Sequence, residues 1–317
     1  MSRQWNSQPA ADWLQNVGAV EIRELIQFLK EQGTFDFPTL PAGLYSAAAG
    51  SGADFEASGY RSVWLRDNMQ IAWALYRANN EADSAVRCVQ TIAGFYRQHQ
   101  QRFTDIINGT ADPQDPMQRP HIRFNGTDLT ELPEKWAHAQ NDALGYFLWL
   151  TCRLALDGHL SPAQMPWDVL VLLLNYWQRI TVWQDEDSGH WEEVRKVAAS
   201  SIGCALAGLR TLAELLQSQP AFAAAAGTAE LNLSLLESLQ TACQTALLSI
   251  LPAECVQADP TKNRRYDAAL LFLIWPLNVI DNRVVEDQII DDVRTHLMGP
   301  YGIRRYLGDS YWCADYR

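Results

Sequence analysis

A chain of 317 residues, 48% of them hydrophobic, can bury a large core, and its size fits one large all-α domain or two smaller ones. A formal net charge of −12 excludes polyanionic partners unless a strong basic patch compensates locally. The densest basic pairs, Arg264-Arg265 and Arg304-Arg305, are too small for that, so neither nucleic acid nor a membrane surface is expected as a partner.

The N-terminal stretch MSRQWNSQPAADWLQ has no apolar core and is no signal peptide. From there helical periodicity dominates. Ile22, Leu25, Ile26 and Leu29 form an i, i+3, i+4, i+7 stripe that stops at Gly33. Val86, Val89, Ile92, Ala93 and Tyr96 form a second stripe, started near Asn79-Asn80. Ile202, Leu206, Leu209, Leu212 and Leu216 follow a Ser200-Ser201 cap. Another stripe runs from Leu235 through Leu239, Cys243 and Leu247 to Ile250. Val285, Ile289, Val293 and Leu297 follow a cap at Asp281 and end before Gly299-Pro300. Helices also fit about 67–78, 138–157, 165–183 and 266–280, which makes about nine. Val169 to Leu174 is apolar all round, so that helix is expected between neighbours. The longest apolar stretch, Ala268 to Ile280, contains a proline and falls short of the ~20 residues of a membrane span.

The six cysteines (Cys88, Cys152, Cys204, Cys243, Cys255 and Cys313) are scattered, four of them in apolar helical runs, which reads as reduced, buried packing. The Asn-x-Ser/Thr sequons at Asn108, Asn125 and Asn232 carry no meaning without secretion, and a cytoplasmic protein is expected. With no composition shift along the chain, residues 1–317 read as one helical domain. Its long irregular stretches, about 34–66, 108–136, 184–198, 252–265 and 299–317, carry the unusual residues.

Four of these stretches set aromatics beside charges. They read Tyr60-Arg61-Ser62-Val63-Trp64-Leu65-Arg66-Asp67, then Glu134-Lys135-Trp136-Ala137-His138-Ala139-Gln140-Asn141-Asp142. Next come Asp185-Glu186-Asp187-Ser188-Gly189-His190-Trp191-Glu192-Glu193, and the segment from Gly302 to Trp312 with Arg304-Arg305-Tyr306 and Asp309. Sugars need this mixture: their C–H faces stack on indoles, and their hydroxyls want planar bidentate partners. The twelve tryptophans by themselves add little, because Trp73, Trp149, Trp177 and Trp275 sit in helical runs and are expected in the core. Glycosidic cleavage asks for two carboxyl groups across the scissile bond. Glu192-Glu193, following an indole, is a natural proton-donor candidate, since a like charge and an aromatic wall both raise a carboxyl pKa. An isolated acidic run is more often a solvated loop; recurrence of the same chemistry in four loops tips the balance.

At these residues the sequence resembles glycoside hydrolase family 15, the glucoamylases, and the related N-terminal domain of phosphorylase kinase α and β subunits. Trp64-Leu65-Arg66-Asp67 is similar to the aromatic-x-Arg-Asp motif that holds terminal glucose hydroxyls. Trp136 with Gln140-Asn141-Asp142 resembles the Trp-x3-Gln-x-Asp stretch, and Trp191-Glu192-Glu193 the Trp-Glu-Glu motif. Asp267-Ala268-Ala269-Leu270-Leu271 resembles a shared helix start, and Arg305-Tyr306 with Asp309 and Tyr311 the Arg-Tyr-x-x-Asp-x-Tyr segment. The resemblance implies an all-α (α/α)6 toroid with a pocket at one mouth. It implies Glu192 as general acid, Glu193 as a substrate- or water-positioning residue, and Arg66, Asp67, Trp136, Trp191 and Arg305 as substrate contacts around a single sugar. It implies an α-glucan or maltooligosaccharide ligand, no cofactor and no metal.

In the resembled family the general base follows the Arg-Tyr loop by several dozen residues, whereas this sequence stops at Arg317, so the resemblance implies a toroid lacking its C-terminal helices and its base. Asp309 is a weak stand-in, its matched role being structural. Other chemistries are set aside on the residues. Asp185-x-Asp187 with Glu192 fails the calcium-loop spacing, and the six histidines form no zinc motif. His138 and His190 flank the expected pocket in packing or hydrogen-bonding roles. Two readings stand: an inverting exo-acting α-glucosidase, and a non-catalytic glucan-binding or regulatory module.

Overall fold

The computed structural model describes residues 17–53 and 59–309; the N-terminal stretch and the Tyr311, Trp312 and Cys313 positions lie outside the described residues. Helices carry the architecture. The strands are two antiparallel two-residue pairs, β1 (Val63–Trp64) with β2 (Arg123–Phe124), and β3 (Met298–Gly299) with β4 (Gly302–Ile303). In chain order the helices are α1 (Ala19–Glu31), α2 (Leu65–Ala74), α3 (Ala82–Gln98), α4 (Gln101–Asn108), α5 (Asn141–Leu156) and α6 (Trp167–Ile180). They continue with α7 (Ala199–Ser218), α8 (Pro220–Thr228), α9 (Leu233–Ile250), the single turn α10 (Leu271–Ile274) and α11 (Arg283–His296).

The helices form two layers. In the inner one α2 packs on α5, α5 on α7, and α7 on α10; outside it α3, α6 and α9 lie side by side, α3 backing α2 and α5, and α9 backing α7. Composition explains the layering. Fourteen residues of the sixteen in α5 are buried, so it has no polar face to turn to water and must sit between neighbours. Its approach to α7 is close enough that a Cβ on Gly145 would stand 2.4 Å from the backbone carbon of Cys204. Helix α7 is long and apolar enough to cross a membrane, but 78% of its apolar window is buried among these neighbours. The apolar cluster they share runs from Leu44 to Ile289, and each fully buried Leu or Phe in it contributes about 1.5–3 kcal/mol.

Several expected elements differ. The stretch expected as a helix over 266–280 is a 3-10 turn at Ala268–Leu270, then α10, then an extended Trp275 at φ −149° before Pro276. Proline lacks the donor a helix needs and pushes the preceding residue out of the α region. Trp275 consequently turns outward and is 63% exposed, where it was expected in the core; Trp177 and Trp149 are buried, and Trp73 is half-buried. Ser200 and Ser201 do not cap α7: they lie in its first turn, and their hydroxyls donate to the buried carboxyls of Glu254 (2.5 Å) and Asp187 (3.0 Å). The cap of α11 is Asn282, which accepts from the Val284 N–H at 3.0 Å, while Asp281 pairs with Arg210. Helices α4 and α8 were not expected. Each is short and buries two side chains, Phe103 with Ile106 and Phe222 with Ala226, too few for a stripe. Pro220 at the first position of an alanine run was the local signal for α8.

Candidate functional site at the mouth of the helical ring

The N-termini of the inner helices open on one mouth, and the four aromatic-plus-charge loops meet there. The short β1–β2 ladder sets the first wall. It places Trp64 directly before α2, with the Leu65 N–H bonded to the Ile122 carbonyl at 2.8 Å, so Arg66 and Asp67 fall in the first helical turn. Trp64 meets Trp136 edge-on, ring centroids 5.6 Å apart. The Arg123 guanidinium carbon lies 4.9 Å from the Trp64 ring centre and 4.3 Å from that of Trp136.

Arg66 and Asp142 form the central pair, both buried. Arg66 Nε donates to Asp142 Oδ2, and its Nη2 donates to Gln140 Oε1 and, at 2.8 Å, to the Gly189 carbonyl. Gln140 passes the contact on: its Nε2 donates to Glu192 Oε1 at 3.0 Å and to the Ala137 carbonyl at 2.8 Å. Burial pushes the Asp142 carboxyl up, but Arg66 and His190 more than offset this and hold it below the usual range. Glu192 sits in the left-handed region at φ +57°, a conformation costing about 1–2 kcal/mol outside glycine, which the surrounding network maintains.

The Asp185–Glu193 loop is held from both sides. Asp185 makes a bidentate pair with the fully buried Arg119, both contacts at 2.6 Å. Asp187 accepts from the Asn141 N–H at 2.7 Å and from Ser201, tying the loop to the starts of α5 and α7. Burial and the neighbouring Asp142 push the Asp187 carboxyl up. Beyond Glu192, Glu193 is engaged by Arg264 and by Lys196 at 3.0 Å, and the Trp191 indole N–H donates to Asp267 at 2.8 Å. Burial raises the Glu193 pKa, but Arg264 and Lys196 bring it below the usual range. The Arg305 guanidinium carbon lies 5.5 Å from the Trp191 ring centre, and Arg305 pairs with Asp309.

The structure therefore brings Arg66, Asp67, Trp136, Trp191, Glu192, Glu193 and Arg305 to one mouth, with different commitments. The Nε and Nη2 of Arg66 are spent on protein partners. Glu193 is spent on two cations. Asp67 carries no hydrogen bond or ion pair among the described residues, and burial with the Glu192 charge pushes its pKa up to about 6 against the lowering by Arg66. His190 and His138 pack as expected: His190 Nε2 lies 3.1 Å from the Tyr146 hydroxyl, and His138 Nδ1 accepts from the Ile122 N–H at 3.2 Å. Sequence reasoning missed Arg119, Arg123, Lys196 and Arg264. Only Arg123 carried a local signal, as the polar residue between Ile122 and Phe124 in a strand-like alternation.

The family model described as Glycosyl hydrolases family 15 matches residues 37–278. The chain is similar to the probable phosphorylase b kinase regulatory subunit alpha of Drosophila melanogaster, 26% identical over 282 residues, covering 81% of this chain and 22% of that protein. It spans about a fifth of the length of the curated relatives it matches. A solved wild-type glycosidase superposes with a TM-score of 0.68 at 19% identity, covering 93% of this chain and 76% of that one. The glucoamylase from Saccharomycopsis fibuligera superposes at 0.54 and 14%, covering 81% and 56%. At these identities the structural likeness establishes the fold, a glucoamylase-like α/α toroid. The sequence match over residues 37–278 establishes the kinship, and the chain belongs to glycosyl hydrolases family 15.

Proposed function

We propose that this mouth binds the non-reducing end of an α-glucan or maltooligosaccharide, and that Glu192 donates a proton to the glycosidic oxygen in an inverting exo-glucosidase reaction. The observation that carries the reading is the Gln140 bridge: it ties Glu192 to the Arg66–Asp142 pair and so fixes one carboxyl oxygen at the mouth, where its charge acts on Asp67. Sugar C–H faces stack on the partly exposed Trp136 or Trp191, and sugar hydroxyls donate to Asp67. Arg305, beside Trp191, supplies a cation for ring oxygens. The five cysteines among the described residues are free and buried, which suits a reducing compartment, and we place the protein in the cytoplasm.

An inverting reaction also needs a base to activate water on the opposite face of the sugar. Glu193 and Asp309 are both held in ion pairs and are poorly placed to act as that base; a second reading, a glucan-sensing module without turnover, is favoured by the likeness to a regulatory subunit. Glucose release from maltotriose, with the anomer followed by NMR, and calorimetry on the same ligand separate the two. Glu192→Gln is expected to lower any glucose release by roughly 10³-fold with affinity nearly unchanged. Binding without release in the parent chain selects the sensing module, and no binding refutes the pocket.

A further inference from the structure

Arg123 is 7% exposed, sits between two indoles, and makes no hydrogen bond or ion pair among the described residues. Its Nε is sealed from solvent and has no acceptor; the indole Nε1 of Trp136, in the ring it contacts, is in the same state. Gly59, at φ +73°, leaves the room it needs, since a Cβ there would stand 2.7 Å from Arg123 Nη2. Burying a guanidinium without an anion in direct contact is costly, since Glu134 and Glu192 act on it only through space; packing alone does not call for it, because an apolar side chain would fill the space between Trp64 and Trp136 more cheaply. Two neighbouring N–H donors without acceptors indicate a missing acceptor oxygen.

The same mouth holds the converse group, since Asp67 is a carboxyl with no hydrogen bond or ion pair among the described residues, though the neighbouring Arg66 charge acts on it. An anionic ligand would satisfy Arg123 and be repelled by Asp67 and Glu192; a cationic one would do the reverse. A hydroxyl group accepts from a guanidinium and donates to a carboxylate, so an uncharged polyol satisfies both. We propose that Arg123 is a ligand-contacting residue that donates hydrogen bonds to hydroxyl oxygens of the bound sugar, and that Arg123 with Asp67 selects neutral over charged saccharides. This rests on the reading of the mouth as a sugar pocket.

The test is calorimetry of the full chain with maltotriose, its monodeoxy analogues and an analogue ending in a uronate. Arg123→Met keeps the stem between the indoles and removes the donors. It is expected to weaken maltotriose binding about tenfold or more. One monodeoxy analogue should lose a similar factor against the parent chain and no further affinity against the variant, while the other analogues keep their sensitivity. The uronate analogue should bind the parent chain about tenfold more weakly than maltotriose. Where near-ultraviolet circular dichroism shows Arg123→Met misfolded, Arg123→Leu, which also lacks donors, carries the same cycle. Equal affinity in the folded variant overturns the proposal, as does a uniform loss across all analogues, the mark of a purely structural role; tighter uronate binding overturns the selection of neutral sugars. If the parent chain binds no saccharide, the pocket reading falls together with this one, whereas binding indifferent to Arg123 sinks this one alone.

Discussion

Replacing Asp142 with Asn tests whether the mouth is built on its central ion pair. The Asp142 side chain is fully buried and that of Arg66 is 9% exposed. Asn keeps the shape and one acceptor oxygen but removes the charge, leaving Arg66 with Gln140 and the Gly189 carbonyl. Removing one partner of a buried pair costs about 3–5 kcal/mol, and the retained oxygen puts this case near the lower end, about 3 kcal/mol. At about 2–4 °C per kcal/mol for a domain of this scale, melting should fall by roughly 6–12 °C. The pH dependence has a definite sign. The folded-state pKa of Asp142 lies below its ordinary value of 3.8, so the pair's contribution is complete above that value and is lost as pH falls through the folded one. Urea unfolding should therefore give a gap between parent and variant that is full at pH 7 and narrows below pH ~4. Arg66→Met combined with Asp142→Leu, which removes both charges, should recover most of the loss while abolishing sugar binding. An unchanged urea midpoint for Asp142→Asn at pH 7 would refute the pair as the support of the mouth.

Two further outcomes follow from the geometry. Because burial raises the Asp67 pKa to about 6, its carboxylate is available to sugar hydroxyls only above that pH; maltotriose affinity should rise as pH passes upward through about 6 and lose that step in Asp67→Asn, as calorimetry across pH 5–8 would show. Gly145→Ala would bring a methyl to 2.4 Å of the Cys204 backbone and should destabilise the chain by about 1–3 kcal/mol or more by urea unfolding, a loss absent only if α5 and α7 can part without strain.

Much of the fold was legible because helical periodicity is local. The stripes over α3, α9 and α11 predicted those helices from side chains three and four residues apart, and Gly33 marks the end of α1 by adopting φ +70° just beyond it. The same logic failed where one residue overrode a pattern, as Pro276 did after α10, or where a helix was too short to show one, as with α4. The caps were misplaced because serine and aspartate have other uses for their oxygens: Ser200 and Ser201 answer buried carboxyls, and Asp281 answers Arg210.

Sequence by itself determined the helical class, the loops that set aromatics beside charges and the motif residues within them, because each is written in neighbours along the chain. Only the tertiary structure decided which charges meet. Arg66 and Asp142 are 76 positions apart, Arg119 and Asp185 66, and Arg264 and Glu193 71. Nothing in local spacing tells a guanidinium which carboxylate it will face, and that choice follows from inner-helix N-termini gathering at one mouth. It also decides which groups are spent on the protein, as Glu193 is, and which have no hydrogen-bond or ion-pair partner among the described residues, as Asp67 and Arg123 have none.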